Sequence, residues 1–134
     1  MIRAYHSPER IEEALALVAR GAVPVGGATA LLTARSTRDV ELVDVTRLGL
    51  DRIAVEPGRV VIGAAATFSQ VARAAEMPGM PGALLRRCTR DTASEPLRNM
   101  ITVGGNLAAT TYWADLPPVL LALDAQVEVS KQGE

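Results

Sequence analysis

Twice in this chain an apolar, strand-like run ends on two adjacent glycines: "VPVGGATALL" at residues 23–32 and "ITVGGNLAAT" at residues 101–110. Glycine weakens a strand, so a pair at the end of one marks a tight turn, a bulge or a close approach of another group. Consecutive amides in such a turn can converge on one concavity and hold an anion. The first turn also leads straight into a helix-like segment, where unpaired N–H groups favour phosphate. Two such turns meeting from two parts of a fold can clasp a diphosphate without a lysine, as a dinucleotide requires. The plainer reading of each is a turn inside a packed sheet.

Little else in the chain competes for a function. With 49% hydrophobic but only 3% aromatic residues, the core must be built from Ala, Val, Leu and Ile. A net charge of −1 without any basic block argues against a nucleic-acid partner or an anionic membrane surface. The longest uncharged apolar stretch, around Leu116–Leu123, is too short to span a bilayer, and charges interrupt the N-terminus where a signal peptide would lie. The expected location is the cytoplasm. One cysteine, Cys88, and one histidine, His6, cannot make a zinc or iron–sulfur site alone. Cys88 reads as structural, although nearby arginines can lower a thiol pKa. The G-x-x-x-x-G-K-[ST], G-x-G-x-x-G and G-x-S-x-G patterns are all missing.

The chain reads as α+β, in two units. Residues 1–48 alternate β-α-β-α-β, the pattern of a small parallel sheet with covering helices. Its first helix is expected to open on Ser7 as N-cap, with Pro8 in the first turn and Ile11, Ala14, Leu15 and Val18 on the inner face. "ATALLTARS" reads as a second helix, with Leu31 and Leu32 inward, and "VELVDVT" as a buried strand. Residues 49–134 change character, with a hairpin around Glu56-Pro57-Gly58 and a helix led by Phe68, Val71 and Ala72. A Pro/Gly loop at 78–82 precedes the helix "ALLRRCTRDTA". The helix "LPPVLLALD" and a closing strand "AQVEVS" complete a unit with a mainly antiparallel sheet.

The segment "RNMITVGGNLAATTYWADLPPVLLALDAQVEV" resembles the second flavin-binding segment of the FAD-binding medium subunits of molybdenum hydroxylases, the xanthine dehydrogenase and carbon monoxide dehydrogenase type. The matching residues are Arg98, Asn99, Thr102, Val103, Gly104, Gly105, Asn106, Asp115 and Leu123-Asp124-Ala125. That family's first segment, Ala-Gly-Gly-Thr-Asp-Leu, is similar to Gly26-Gly27-Ala28-Thr29-Ala30-Leu31, and "VELVDVTRL" and "RVVIGAAATFSQVARA" follow the family order.

The resemblance implies FAD as cofactor, a large molybdopterin-binding subunit and a small [2Fe-2S] subunit as partners, and electron transfer through the flavin to an acceptor. It implies that Val25 through Leu31 line the diphosphate and ribityl side, chiefly through backbone N–H groups. Thr102 would donate its hydroxyl to phosphate, Gly104 and Gly105 would admit the backbone, and Asn106 would hydrogen-bond the cofactor. Asp115 would accept from a flavin or ribose hydroxyl, or else cap the following helix. Arg98 would balance phosphate charge, or be solvated or paired with a partner. Ala28 stands where the family has a second glycine, Ala30 where it has a polar residue, and Tyr112-Trp113 where it has small residues or proline. The aromatic pair would stack on the cofactor or pack against a partner. In the family a further α+β subdomain follows, so the chain is expected to be a fragment, one chain of a split subunit or a short relative. The competing expectation is a scaffold of the same fold that has lost FAD.

Overall fold

In a computed structural model of the chain, which describes residues 1–33, 39–109 and 111–131, the N-terminal alternation appears as read. Strand β1 (Ile2–His6), helix α1 (Ile11–Ala19), strand β2 (Val23–Val25), helix α2 (Thr29–Thr33) and strand β3 (Val40–Asp44) follow in order. Both pairings are parallel and the strand order is β1-β3-β2, which puts β3 in the centre. Consecutive residues Leu42 and Val43 are both buried, as a strand covered on two faces requires. Ala14 and Ala22 close over Val43, with Leu17 and Leu48 at the margin.

Helix α1 departs from its expected start. Arg10 is its last extended residue, and no side chain caps it. Pro8 is buried at the end of β1 and so belongs to the loop, leaving Ser7 outside the helix. The inner face centres on Ala14 and Leu17, while Ile11 and Val18 are partly exposed. Residues 34–36 of "ATALLTARS" and the side chain of Leu32 lie outside the described residues.

After β3 comes the hairpin β4 (Ile53–Glu56) and β5 (Arg59–Ile62), antiparallel around Pro57-Gly58. Helix α3 (Phe68–Arg73) opens on a capping box. Thr67 accepts from the Gln70 N–H at 3.2 Å, and the Gln70 side chain accepts from the Thr67 N–H at 2.7 Å. Helices α4 (Gly79–Arg90), α5 (Glu95–Arg98), α6 (Val103–Ala109) and α7 (Leu116–Ala122) follow. Phe68, Val71, Met77, Leu85, Val103 and Leu116 form the second core. Helix α4 takes in Gly79, Pro81 and Gly82, which the sequence suggested as loop, because proline in a first turn lacks only an N–H that would have no helical partner. "AQVEVS" forms no ladder: no strand pairs with it among the described residues, and Val127 and Val129 are exposed.

The largest correction concerns Met100–Val103. It is no strand. Thr102 makes one isolated antiparallel bridge to Thr67, and helix α6 begins at Val103, so Gly104 and Gly105 lie in its first turn. The backbone explains this: the Ile101 carbonyl accepts from the Phe68 N–H at 2.9 Å, and the Val103 N–H donates to the Ala66 carbonyl at 2.9 Å. The segment is pinned to residues 64–68 for only three residues before it coils.

Candidate functional site

The two glycine turns touch. A Cβ placed on Gly27 would lie 1.5 Å from the Met100 carbonyl oxygen, and one on Gly26 would lie 3.0 Å from both Cγ2 and Oγ1 of Thr102. The backbone after β2 thus lies directly on the backbone before α6, a fit open only to glycine at position 27. Helices α2 and α6 pack side by side behind the contact.

The turns differ in what their amides do. At the second turn Gly104 donates to the Ala64 carbonyl at 2.8 Å, Gly105 to the Thr102 hydroxyl at 3.1 Å, and Asn106 to the Thr102 carbonyl at 2.9 Å. With Val103 bonded as well, this run of N–H groups is engaged inside the chain. It cannot also form an anion nest, so that part of the sequence reading is corrected. Thr102 serves as the N-cap, buried against Gly26, with its hydroxyl proton still available to donate. At the first turn no intrachain hydrogen bond of the Gly26, Gly27 or Ala28 N–H exists among the described residues. Ala28 is left-handed, at φ 58°. Ala28, which stands where the family has a second glycine, thus takes the conformation that an L side chain resists.

Around this contact the remaining residues fall into place unevenly. Val25 is buried and its carbonyl accepts from the Val45 N–H, so it is a sheet residue. Thr29 and Leu31 are half-buried and Ala30 is exposed. Asn106 holds a side-chain Oδ1 that is buried and lacks a partner among the described residues. A buried acceptor of that kind needs a donor, and a cofactor hydroxyl or N–H is one. Together, open amides at one turn, an orphaned acceptor beside the other and a glycine-only contact between them fit a phosphate-bearing, hydroxyl-rich group such as FAD.

Asp115 precedes α7 but makes no capping hydrogen bond. The cause is chemical: Pro117 and Pro118 occupy the second and third helical positions, whose N–H groups a cap would need. The exposed carboxylate is therefore not occupied by its helix. Arg98, in contrast, is engaged, donating from Nη1 to the Thr92 carbonyl at 3.2 Å and the Ala93 carbonyl at 2.5 Å. Tyr112 and Trp113 form a T-shaped pair with ring centroids 4.5 Å apart, 94% and 68% exposed. The Cys88 thiol is pushed up to about 11, first by burial and then by the nearby Asp115 carboxylate, against the expectation that arginines lower it.

The structure adds neighbours that were assigned no role from the sequence. A cleft of about 340 Å³ opens beside the Gly27–Met100 contact, bordered by Thr46, Asp51, Thr67 and Asn99. It lies where β2 and β3 end, the edge at which parallel sheets bind ligands. Thr46 is fixed there by Asp44, whose carboxylate accepts from the Thr46 hydroxyl at 2.6 Å and from its N–H at 2.8 Å. Burial pushes the Asp44 carboxyl up, but these bonds and one from Tyr5 outweigh it and hold the group below its usual range. Of these neighbours, Asn99 lies in the Arg98-Asn99 match to the family segment and Thr67 opens a T-x-x-Q capping pattern, whereas Asp51 carries no motif.

Comparison with known proteins gives the family and the fold. The model of the FAD binding domain in molybdopterin dehydrogenase matches residues 1–134. The 6-hydroxypseudooxynicotine dehydrogenase complex subunit alpha of Paenarthrobacter nicotinovorans is 34% identical over 139 residues, covering 97% of this chain and 46% of that protein. The reconstituted CO dehydrogenase from Oligotropha carboxidovorans superposes with a TM-score of 0.77 at 30% identity, over 85% of this chain and 42% of its own. Quinoline 2-oxidoreductase from Pseudomonas putida 86 matches in fold alone, with a TM-score of 0.78 at 24% identity over 85% of this chain and 42% of its own. The chain spans about half the length of the curated relatives it matches.

Proposed function

Since this chain belongs to the family of FAD-binding domains of molybdopterin dehydrogenases, we propose that it is the N-terminal half of a flavin subunit that relays electrons in a molybdenum-containing oxidoreductase. Electrons would arrive from iron–sulfur clusters on a small partner, supplied by a large molybdopterin-binding partner, and leave to an acceptor. The observation that carries the reading is the contact between the two glycine turns, with open amides at Gly26–Ala28 on one side and the orphaned Asn106 Oδ1 on the other.

On this reading residues 1–48 and 49–134 are two subdomains that clasp the cofactor, each with its own buried cluster. FAD supplies the redox chemistry when bound. The chain's residues bind and orient it. The Gly26, Gly27 and Ala28 N–H groups donate to the diphosphate, the Thr102 hydroxyl donates from beneath, Asn106 accepts from a cofactor donor, and Asp115 accepts from a hydroxyl. Gly104 and Gly105 act by keeping α6 close rather than by donating. Tyr112 and Trp113 remain for a partner subunit, since nothing in the described residues covers them.

An absorbance spectrum of the purified chain before and after FAD addition tests this directly. The expected result is a bound flavin spectrum that survives gel filtration. A colourless protein that ignores added FAD removes the proposal and leaves the scaffold reading.

A further inference from the structure

We infer that Ala28 sets how tightly this site holds FAD, because it resists the backbone conformation that the diphosphate stabilises. The inference rests on the cofactor reading above. Ala28 sits at φ 58°, where an L side chain is strained and glycine is not. Such strain persists only where the surroundings impose it.

Among the described residues two other non-glycine residues are left-handed, and in both the chain supplies a hydrogen bond. The Ala93 carbonyl accepts from Arg98, and the Asp124 N–H donates to the Leu121 carbonyl at 3.1 Å. Ala28 has no such bond. Among the described residues nothing accepts from its N–H or from those of Gly26 and Gly27, and the turn is held by packing, Gly27 beneath the Met100 carbonyl and Gly26 against Thr102.

A diphosphate accepting from these N–H groups is the partner the turn lacks. It binds the left-handed form and not a relaxed one, so it must supply whatever the chain does not toward keeping Ala28 strained. By linkage that part is subtracted from the observed affinity. Ala28 is therefore a positioning residue that weakens cofactor retention, making FAD exchangeable.

The test is Ala28→Gly in the 134-residue chain, with FAD titrated by flavin fluorescence and melting followed without cofactor. Removing the strain should tighten FAD roughly fivefold and slow its release correspondingly. Ala28→Val, which the left-handed region excludes more strongly, should weaken FAD below the parent. An unchanged or weaker affinity in Ala28→Gly, with a raised melting temperature, overturns the inference, because the fold alone would then carry the strain. Failure of both parent and Ala28→Gly to take up FAD would sink the cofactor reading itself, a distinguishable result.

Discussion

Gly27 and Cys88 are the positions where single atoms decide most. A methyl at Gly27 would sit 1.5 Å from the Met100 carbonyl, so backbone must move. Gly27→Ala is expected to cost roughly 2–3 kcal/mol in a urea titration and to abolish FAD uptake. Gly26→Ala meets the Thr102 side chain at 3.0 Å and should be milder on both measures. With a thiol pKa of about 11, Cys88 is ionised in about one molecule in a thousand at pH 8. Its labelling by iodoacetamide should run on the order of a hundredfold slower than that of an ordinary exposed cysteine. The folded value lies above the unfolded 9.0, so the neutral thiol stabilises the fold below pH 9, and that contribution is lost as pH rises toward 11. Urea midpoints across that window should fall more steeply for the parent than for Cys88→Ala. The direction of this shift was not visible in "LLRRCTRD", where the flanking arginines are sequence neighbours but burial and Asp115 act through space.

Among the elements, the two helix starts at Thr67 and Asp115 make opposite predictions. Thr67→Ala removes half of a formed capping box and should cost about 1 kcal/mol in thermal denaturation. Asp115→Asn caps nothing and should change stability by less than about 0.5 kcal/mol, while lowering FAD affinity in a fluorescence titration. Much of this level was readable in advance. The β-α-β-α-β alternation, the Glu56-Pro57-Gly58 hairpin and the Phe68 helix follow from local pattern and turn chemistry. The failed cap went against expectation: Asp115 before Leu-Pro-Pro reads as an N-cap by residue type, but the two prolines remove the N–H groups it would need. What stayed hidden depends on distant backbone. Met100–Val103 is as apolar as a strand, and only the carbonyls of Ala64 and Ala66 turn it into a helix start. The Met100 carbonyl, which meets Gly27, leaves no side-chain trace at all.

For the molecule as a whole, two small cores are joined where the glycine turns meet, so cofactor binding should act on global stability. At a hundredfold excess over its dissociation constant, FAD should add about 2.7 kcal/mol and raise the melting temperature accordingly. FMN, which lacks the diphosphate, should raise it much less. Equal shifts would remove the diphosphate from the amide turn. The unequal use of main-chain donors also has a readout in solvent exchange. Deuterium should enter positions 26–28 quickly and 103–105 slowly before any flavin is added. Loading the flavin should then protect only the faster trio, leaving a footprint on one lip of the clasp.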